Sequence, residues 1–128
     1  MREIGIGIVG GGYMGKAHSV AMLSVGAVFN TYLRPRLQMI CARSDASAEK
    51  YRKAYGFRAA TSDWRVLVKD PAVEAIVIAT PQIEHREIAV AAFAQGKPVF
   101  CEKPLGSSLK DATVMNDAAE ARGCLLYT

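Results

Sequence analysis

Cysteine is scarce in this chain, and its arrangement excludes two kinds of site. The 128 residues include three cysteines, namely Cys41, Cys101 and Cys124. None of them forms a C-x-x-C pair, and each lies in or beside an apolar segment. A disulfide framework and a cysteine-based metal centre are therefore not expected. The sequence instead predicts buried, reduced thiols in a cytoplasmic protein that has no metal site.

Long apolar runs and a strong charge imbalance are also missing. No apolar stretch approaches the ~20 residues that a membrane-spanning helix needs, and the first residues do not resemble a secretion signal. The formal net charge is only +4, and basic and aromatic residues do not interleave on a nucleic-acid-binding motif. We therefore expect neither a membrane nor a nucleic acid as a partner. A local basic excess, suited to a small phosphate-bearing molecule, comprises Arg34, Arg36, Arg43, Arg52, Lys53 and Arg58.

The chain does contain a regular alternation of apolar strand-like runs and helical segments. The runs 4–9, 36–42, 73–80 and 98–102 predict buried strands, each followed by a segment with helical spacing or helix-capping residues. The helix after the second run is expected to have Ser44 or Asp45 as its N-cap and to stop at Gly56, and a short helix capped at Thr61 or Ser62 should follow. This order predicts one domain over 1–128, an α/β doubly wound parallel sheet with right-handed crossovers. Ligands bind such sheets beyond the carboxyl ends of the strands. The strand ends expected to carry the chemistry are Gly10–Gly15, Arg43, Thr80–Pro81 and Cys101–Pro104.

The glycine-rich stretch after the first strand contains the pattern G-x-G-x-x-G twice. Gly5-Gly7-Gly10 is the early match and Gly10-Gly12-Gly15 the later one. The pattern binds a dinucleotide where a strand precedes it and a helix opens within it, because the pyrophosphate rests on free N–H groups of the helix N-terminus. Only four residues precede Gly5, whereas a strand precedes Gly10. We therefore assign the fingerprint to the later register, and interpret Gly5 and Gly7 as packing residues of the strand.

Acidic residues are absent between Gly5 and Ser44, which bears on the kind of dinucleotide. NAD sites usually place an Asp or Glu about 20 residues after the glycines, where it bonds the ribose 2′-OH. The interval from Gly15 to Arg43 is longer, which predicts an insertion around "NTYLRPR". An Arg pairs a 2′-phosphate bidentately and Ser44 adds a hydroxyl, so NADP(H) is favoured over NAD(H). The alternative is NAD, with Asp45 as the acid and a merely solvated Arg43.

Three segments resemble the Gfo/Idh/MocA family of oxidoreductases: "GIVGGGYMGKAH", "AIVIATPQIEH" and "GKPVFCEKPLG". The element Glu102-Lys103-Pro104 is the most specific of their features. The resemblance implies NAD(P)-dependent hydride transfer to or from a sugar, a polyol or a related hydroxy compound. It covers only the family's N-terminal Rossmann domain. We therefore expect 1–128 to be a fragment that lacks a second α/β domain, which in the family supplies most of the substrate pocket and the oligomer interface.

The resemblance also implies a role for each matching residue. The residues on the pyrophosphate would be Gly10, Gly12, Tyr13, Met14 and Gly15. Those on the adenosine ribose would be Arg43 and Ser44. Those lining the middle of the cofactor would be Thr80, Pro81 and His85, the family's T-P-x-x-x-H element. The alternative for His85, from its place in the first turn of a helix, is a solvated side chain.

At the reacting end, Glu102 would contact the nicotinamide, and Lys103 would be the catalytic residue. Lys103 would reach the substrate hydroxyl and the cofactor ribose, where a positioned amine can help to remove the hydroxyl proton. The Lys103–Pro104 peptide bond is expected to be cis, as in relatives. His18 and Trp64, which lie outside these motifs, are interpreted as structural residues.

The family's second catalytic element, an Asp and a His on a helix of the second domain, has no counterpart in this sequence. The chain by itself is therefore expected to bind NADP(H) without turning over a substrate, and the full-length protein to form a homo-oligomer. The alternative function is a non-catalytic dinucleotide-binding module or sensor. An unrelated Rossmann protein, such as a methyltransferase, has no reason to carry Glu102-Lys103-Pro104.

Overall fold

A computed structural model describes residues 1–128 as a parallel sheet with helices on both faces. The strands are β1 (Arg2–Val9), β2 (Leu33–Cys41), β3 (Ala59–Thr61), β4 (Ala75–Ile78), β5 (Val99–Cys101) and β6 (Leu126–Tyr127). The helices are α1 (Tyr13–Val28), α2 (Asp45–Tyr55), α3 (Trp64–Lys69), α4 (His85–Ala94) and α5 (Leu109–Arg122). A 3-10 turn, Gln82–Glu84, leads directly into α4.

All six strands run parallel, in the spatial order β3-β2-β1-β4-β5-β6. The order runs outward in both directions from the pair β1 and β4, so the chain reverses its winding direction there. The predicted α/β doubly wound parallel sheet is confirmed. The carboxyl ends of parallel strands lie on one side of the sheet. The residues that follow β1, β2, β4 and β5 on that side are here called the carboxyl edge. The opposite side, where these strands begin, is called the amino edge.

The core lies in two layers because successive side chains of a strand point to opposite faces. The larger cluster lies under α3, α4 and α5 and includes Leu67, Phe93 and Met115. The smaller one lies towards α1 and α2 and includes Ile8 and Ile40. On β1, a Cβ on Gly7 would stand 2.7 Å from Leu67 and 2.8 Å from Val73. The interpretation of Gly7 as a packing residue is therefore confirmed, because α3 lies too close to the strand for a side chain.

The predicted insertion around "NTYLRPR" is wrong. Strand β2 already begins at Leu33, and Pro35 pairs in register with Ile4 of β1. Strand β3 joins β2 only from Met39 onward, so Pro35 lies where β2 is still the edge of the sheet. A strand tolerates proline at an edge because the missing N–H has no partner to lose there. The long interval before Arg43 is a longer strand rather than an extra loop.

Strand β3 was not anticipated from the sequence. Its three residues, Ala59–Thr61, are too few to show a pattern and are extended because they pair with β2. The next helix was expected to be capped at Thr61 or Ser62, but its N-cap is Asp63, whose carboxylate accepts from the Arg65 N–H. Of the two N-caps predicted for α2, Ser44 and Asp45, the structure has Ser44, and the predicted stop at Gly56 is confirmed.

Candidate functional site

The glycine turn joins β1 to α1 at the carboxyl edge. Gly10 adopts a φ of +104°, which is open to glycine and strained for other residues. A Cβ on Gly15 would overlap the Gly10 carbonyl, so the first turn of α1 packs directly on the strand end. At Gly12, the N-cap, no atom lies within 4 Å of the place of a Cβ. Helix α1 has neither a side-chain cap nor an acidic residue in its first turn, so its N-terminus is suited to an anion.

Two tyrosines of α2 support this turn from the side. Tyr51 and Tyr55 stack with ring centroids 5.5 Å apart. The Tyr51 ring lies where a Cβ on Gly11 would stand, and the Tyr55 hydroxyl donates to the Gly11 carbonyl at 2.9 Å. Burial and the neighbouring Tyr51 raise the pKa of Tyr55, which keeps its hydroxyl a donor. The pair was missed in the sequence, although two tyrosines four residues apart on the helix after the second strand share one face.

A cleft of about 390 Å³ opens at the carboxyl edge between the ends of β1, β2 and β4. The predicted site residues that line it are Gly10, Gly12, Arg43, Thr80 and Pro81. Lining residues that the sequence did not indicate include Ser47, Tyr51, Ser62, Trp64 and Glu84. Trp64, expected to be structural, also packs against the larger core cluster. Its ring therefore both lines the cleft and contacts the core. The predicted residues outside the lining are Tyr13, Met14, Gly15, Ser44, His85, Glu102 and Lys103.

Arg43 and Ser44 follow β2, and they differ in whether their side chains already have a partner in the chain. Arg43 is exposed on the cleft and makes no ion pair, whereas Arg36, Arg52 and Arg58 all pair with glutamates. The Ser44 hydroxyl already caps α2 by accepting from the Ser47 N–H at 3.1 Å. The free guanidinium is therefore the group at this strand end that is available to a ligand.

Thr80 provides a direct test of whether a dinucleotide fits this cleft. Its Oγ1 is buried and has no hydrogen-bond partner in the chain, and the residue lines the cleft. A buried hydroxyl without a partner costs free energy unless something else bonds it. An unpaired hydroxyl, an unpaired guanidinium and an uncapped helix N-terminus on one cleft fit the hydroxyls and phosphates of a dinucleotide.

The Glu102-Lys103-Pro104 loop follows β5 at the same edge. The Lys103–Pro104 peptide bond is cis, as the resemblance implied. Lys103 is exposed and takes part in none of the ion pairs of the chain. Glu102 Oε1 lies 2.8 Å from Nε2 of His18, with the two side chains only 17% and 15% exposed. The loop therefore presents one free ammonium beside a carboxylate that already has a partner.

His85 lies behind the cleft rather than on it. The side chain is buried, with Nε2 2.9 Å from the Thr80 carbonyl and Nδ1 3.1 Å from the carbonyls of Pro104 and Leu105. Its ring therefore bridges the turn after β4 and the loop that carries Lys103. The structure brings His85 to the backbone of two site segments and leaves its ring no free nitrogen for a cofactor.

Cys41 and Cys101 end β2 and β5 as buried free thiols. Burial raises the pKa of Cys41 to about 11. Burial, and secondarily the Glu102 carboxylate, raises the pKa of Cys101 to about 12. Both thiols therefore stay protonated at neutral pH and are poor nucleophiles. Cys124 is only partly buried, contrary to expectation, because it follows the end of α5.

The side chains contain no group of three or more His, Cys, Asp or Glu residues placed to hold a metal ion. Among the helices, none combines the length and the apolar character of a membrane span.

Fold and site together define a dinucleotide-binding Rossmann domain. A family model described as "Oxidoreductase family, NAD-binding Rossmann fold" matches residues 4–128. Levoglucosan dehydrogenase of Pseudarthrobacter phenanthrenivorans is 39% identical over 122 residues, which are 94% of this chain and 31% of the relative. Inositol 2-dehydrogenase of Paracoccus denitrificans is 31% identical over 92% of this chain and 34% of its own length.

Solved structures agree with these relatives. A levoglucosan dehydrogenase in complex with NADH and L-sorbose superposes with a TM-score of 0.95 at 35% identity, over 98% of this chain and 35% of the other. A complex with NADH and levoglucosan gives 0.93 over 97% and 34%. The chain thus spans about a third of the length of the relatives it matches. It belongs to the Gfo/Idh/MocA oxidoreductase family and carries the family's NAD-binding Rossmann domain.

Proposed function

We propose that this chain is the cofactor-binding part of a dehydrogenase that transfers hydride between a nicotinamide dinucleotide and a sugar, polyol or related hydroxy compound. The observation that carries the proposal is one shared edge of the sheet. The cleft with its unpaired Thr80 hydroxyl and the loop with the free Lys103 ammonium both lie there, and His85 joins them. The relatives named for levoglucosan and inositol support this substrate class.

Each residue of the edge has a separate task in this proposal. The N–H groups from Gly10 to Gly15, with Tyr13 and Met14, hold the pyrophosphate, and Thr80 and Pro81 line the cofactor further on. The bound dinucleotide supplies the site that accepts or gives the hydride. Glu102 lies at the nicotinamide end, and Lys103 orients the substrate hydroxyl. As the neutral amine it takes the hydroxyl proton when the substrate is oxidised, and as the ammonium it returns that proton when the substrate is reduced. A lysine on an exposed loop suits this task because no ion-pair partner in the chain holds it.

Within the nicotinamide dinucleotides we propose a preference for NADP(H) over NAD(H). Arg43 supports it, because this guanidinium lies on the cleft at the end of β2 without an ion-pair partner and is suited to a 2′-phosphate. The solved relatives contain NADH, so the preference would be a property of this chain's own strand end. We further propose a cytoplasmic location, a homo-oligomeric full-length protein, and no turnover by residues 1–128 alone.

Fluorescence titration of the chain with NADPH and with NADH tests the cofactor proposal. We expect tighter binding of NADPH, and a loss of about tenfold or more in Arg43→Gln for NADPH with little change for NADH, as for one charge-assisted pair. Lys53→Gln is the matched control, since Lys53 is also basic and exposed but lies off the cleft. A wild-type preference for NADH would contradict the assignment to Arg43.

Dehydrogenase assays separate the enzyme from the alternative of a binding module or sensor. We expect reduction of NADP by the full-length protein with levoglucosan or inositol as trial substrates, and none by residues 1–128. Turnover by the 128 residues alone would contradict the need for a second domain. Tight dinucleotide binding in a full-length protein that oxidises no sugar or polyol would favour the sensor.

A further inference from the structure

The loop that carries Lys103 is held by side chains rather than by the sheet. The Glu102 N–H donates to the Ile78 carbonyl at 2.9 Å, and this is the last backbone bond after β5. No backbone–backbone hydrogen bond involves residues 103–107, and in the next one the Ala112 N–H donates to the Ser108 carbonyl. Since Lys103 has no ion pair of its own, the position of its ammonium depends on what holds this loop.

His18 holds the start of the loop from α1. Its Nε2 lies 2.8 Å from Oε1 of Glu102, and since a carboxylate only accepts, Nε2 carries the proton and donates. The imidazole also packs edge-on against Phe100 of β5, with centroids 4.9 Å apart. His18 lies three residues after Gly15 on the helix that opens from the glycine turn. The contact therefore links the proposed pyrophosphate-binding turn to the first residue of the loop.

His85 holds the other end of the loop from α4. Three carbonyl oxygens surround its two ring nitrogens, those of Thr80, Pro104 and Leu105. Carbonyl oxygens only accept, so each contact is a hydrogen bond where that nitrogen carries a proton, and the neutral ring carries one proton, on Nε2 or on Nδ1. The Cys101 thiol adds weaker contacts to the Glu102 and Leu105 carbonyls at 3.6 and 3.8 Å. The loop is thus tied to the cofactor-lining turn after β4 through one buried ring.

The chain has two histidines, and the side chains of both contact this loop. We propose that His18 and His85 are positioning residues that fix the loop 102–105, and through it Lys103, relative to the two cofactor-binding turns that follow β1 and β4. This inference rests on the proposed function. Neither ring lines the cleft, so the two residues act through Glu102 and through backbone carbonyls rather than by touching the dinucleotide there.

The test is the rate of hydride transfer in single turnovers of the full-length protein, measured beside the dissociation constant for NADPH. A catalytic group misplaced by about 1 Å costs up to about 100-fold in rate. We therefore expect His18→Leu and His85→Leu to slow the transfer about 10- to 100-fold, with NADPH affinity within about threefold of wild type. His18→Gln keeps an N–H donor for Glu102 and should restore most of the rate. Arg86→Gln, which breaks an exposed ion pair between α4 and Asp111 of α5, is the control and should leave both quantities unchanged.

A second readout requires no substrate and covers the case in which His85→Leu fails to fold. Bound NADPH reports on its surroundings through the nicotinamide fluorescence, which we expect His18→Leu to change by about twofold or more at saturation while His18→Gln does not. Wild-type rates and wild-type fluorescence in the leucine variants would overturn the inference alone. A wild-type chain that binds no dinucleotide would overturn the proposed function and this inference with it.

Discussion

The two edges of the sheet differ in which of their polar groups lack a partner. At the amino edge, Glu74 accepts from Arg2 and from the Gly5 N–H, both at 2.8 Å, and Glu3 lies within ion-pair distance of Arg36 and Arg58. At the carboxyl edge, Arg43 and Lys103 have no ion-pair partner and a buried Thr80 hydroxyl has no partner either. The groups without a partner at the carboxyl edge are the ones that the proposed function assigns to a ligand.

The largest effect that this comparison predicts is on catalysis by the carboxyl edge. Lys103→Gln in the full-length protein should reduce hydride transfer by about 10²- to 10⁴-fold, the range for loss of a positioned acid–base group. Unfolding should not change, because Lys103 pairs with nothing in the chain. Arg58→Gln at the amino edge is the control and should retain full activity. Equal loss in both variants would show that the two edges do not differ as described.

The next effect is on stability, at the amino edge. Glu74→Ala removes the carboxylate that accepts from the Gly5 N–H and from Arg2, and should lower the free energy of unfolding by about 1–2 kcal/mol. Urea denaturation followed by circular dichroism measures it. Dinucleotide affinity should stay the same, since Glu74 lies at the far end of the strands. A weakened affinity without a stability loss would contradict the structural role.

Thr80→Val tests the unpaired hydroxyl through two quantities, the stability of the free chain and its affinity for the dinucleotide. Replacing a buried, unsatisfied hydroxyl with a methyl group should leave the free chain as stable or up to about 1 kcal/mol more stable, because the cost of the lone hydroxyl disappears. Affinity for the dinucleotide should fall about tenfold if the hydroxyl bonds the ligand. Thermal melts with and without NADPH measure both, since a ligand raises the melting temperature of the state it binds. Destabilisation of the free chain together with unchanged affinity would argue against a ligand-binding role.

The smallest effect should come from Glu3, whose ion pairs are exposed. Its carboxylate is 48% exposed and lies 3.3 Å from Arg36 and 3.9 Å from Arg58. Exposed pairs of this kind contribute about 0–1 kcal/mol, so Glu3→Gln should change the free energy of unfolding by less than about 0.5 kcal/mol. A loss as large as that of Glu74→Ala would show that burial does not set the difference between the two glutamates.

Much of the fold was readable in the sequence, and the exceptions have physical causes. Long apolar runs and helix caps such as Ser44 and Gly56 are local signals, so β1, β4 and α2 were predicted. Strand β3 and the start of β2 at Leu33 were not, because both depend on pairing with a neighbouring strand. In the site, the glycine turn has a motif, whereas Tyr51 of α2, Ser62 and Glu84 reach the cleft only because the strands bring the segments that follow them together.

The sequence by itself determined the alternation of strands and helices except for β3, the assignment of the fingerprint to Gly10-Gly12-Gly15, and the resemblance through Glu102-Lys103-Pro104. These depend on residue types at fixed separations along the chain. Only the tertiary structure decided which groups the two histidines contact. His18 and His85 meet the Lys103 loop across 84 and up to 20 residues, and each contact exists because parallel strands end at one edge. No local pattern encodes a hydrogen bond between segments that folding alone brings together.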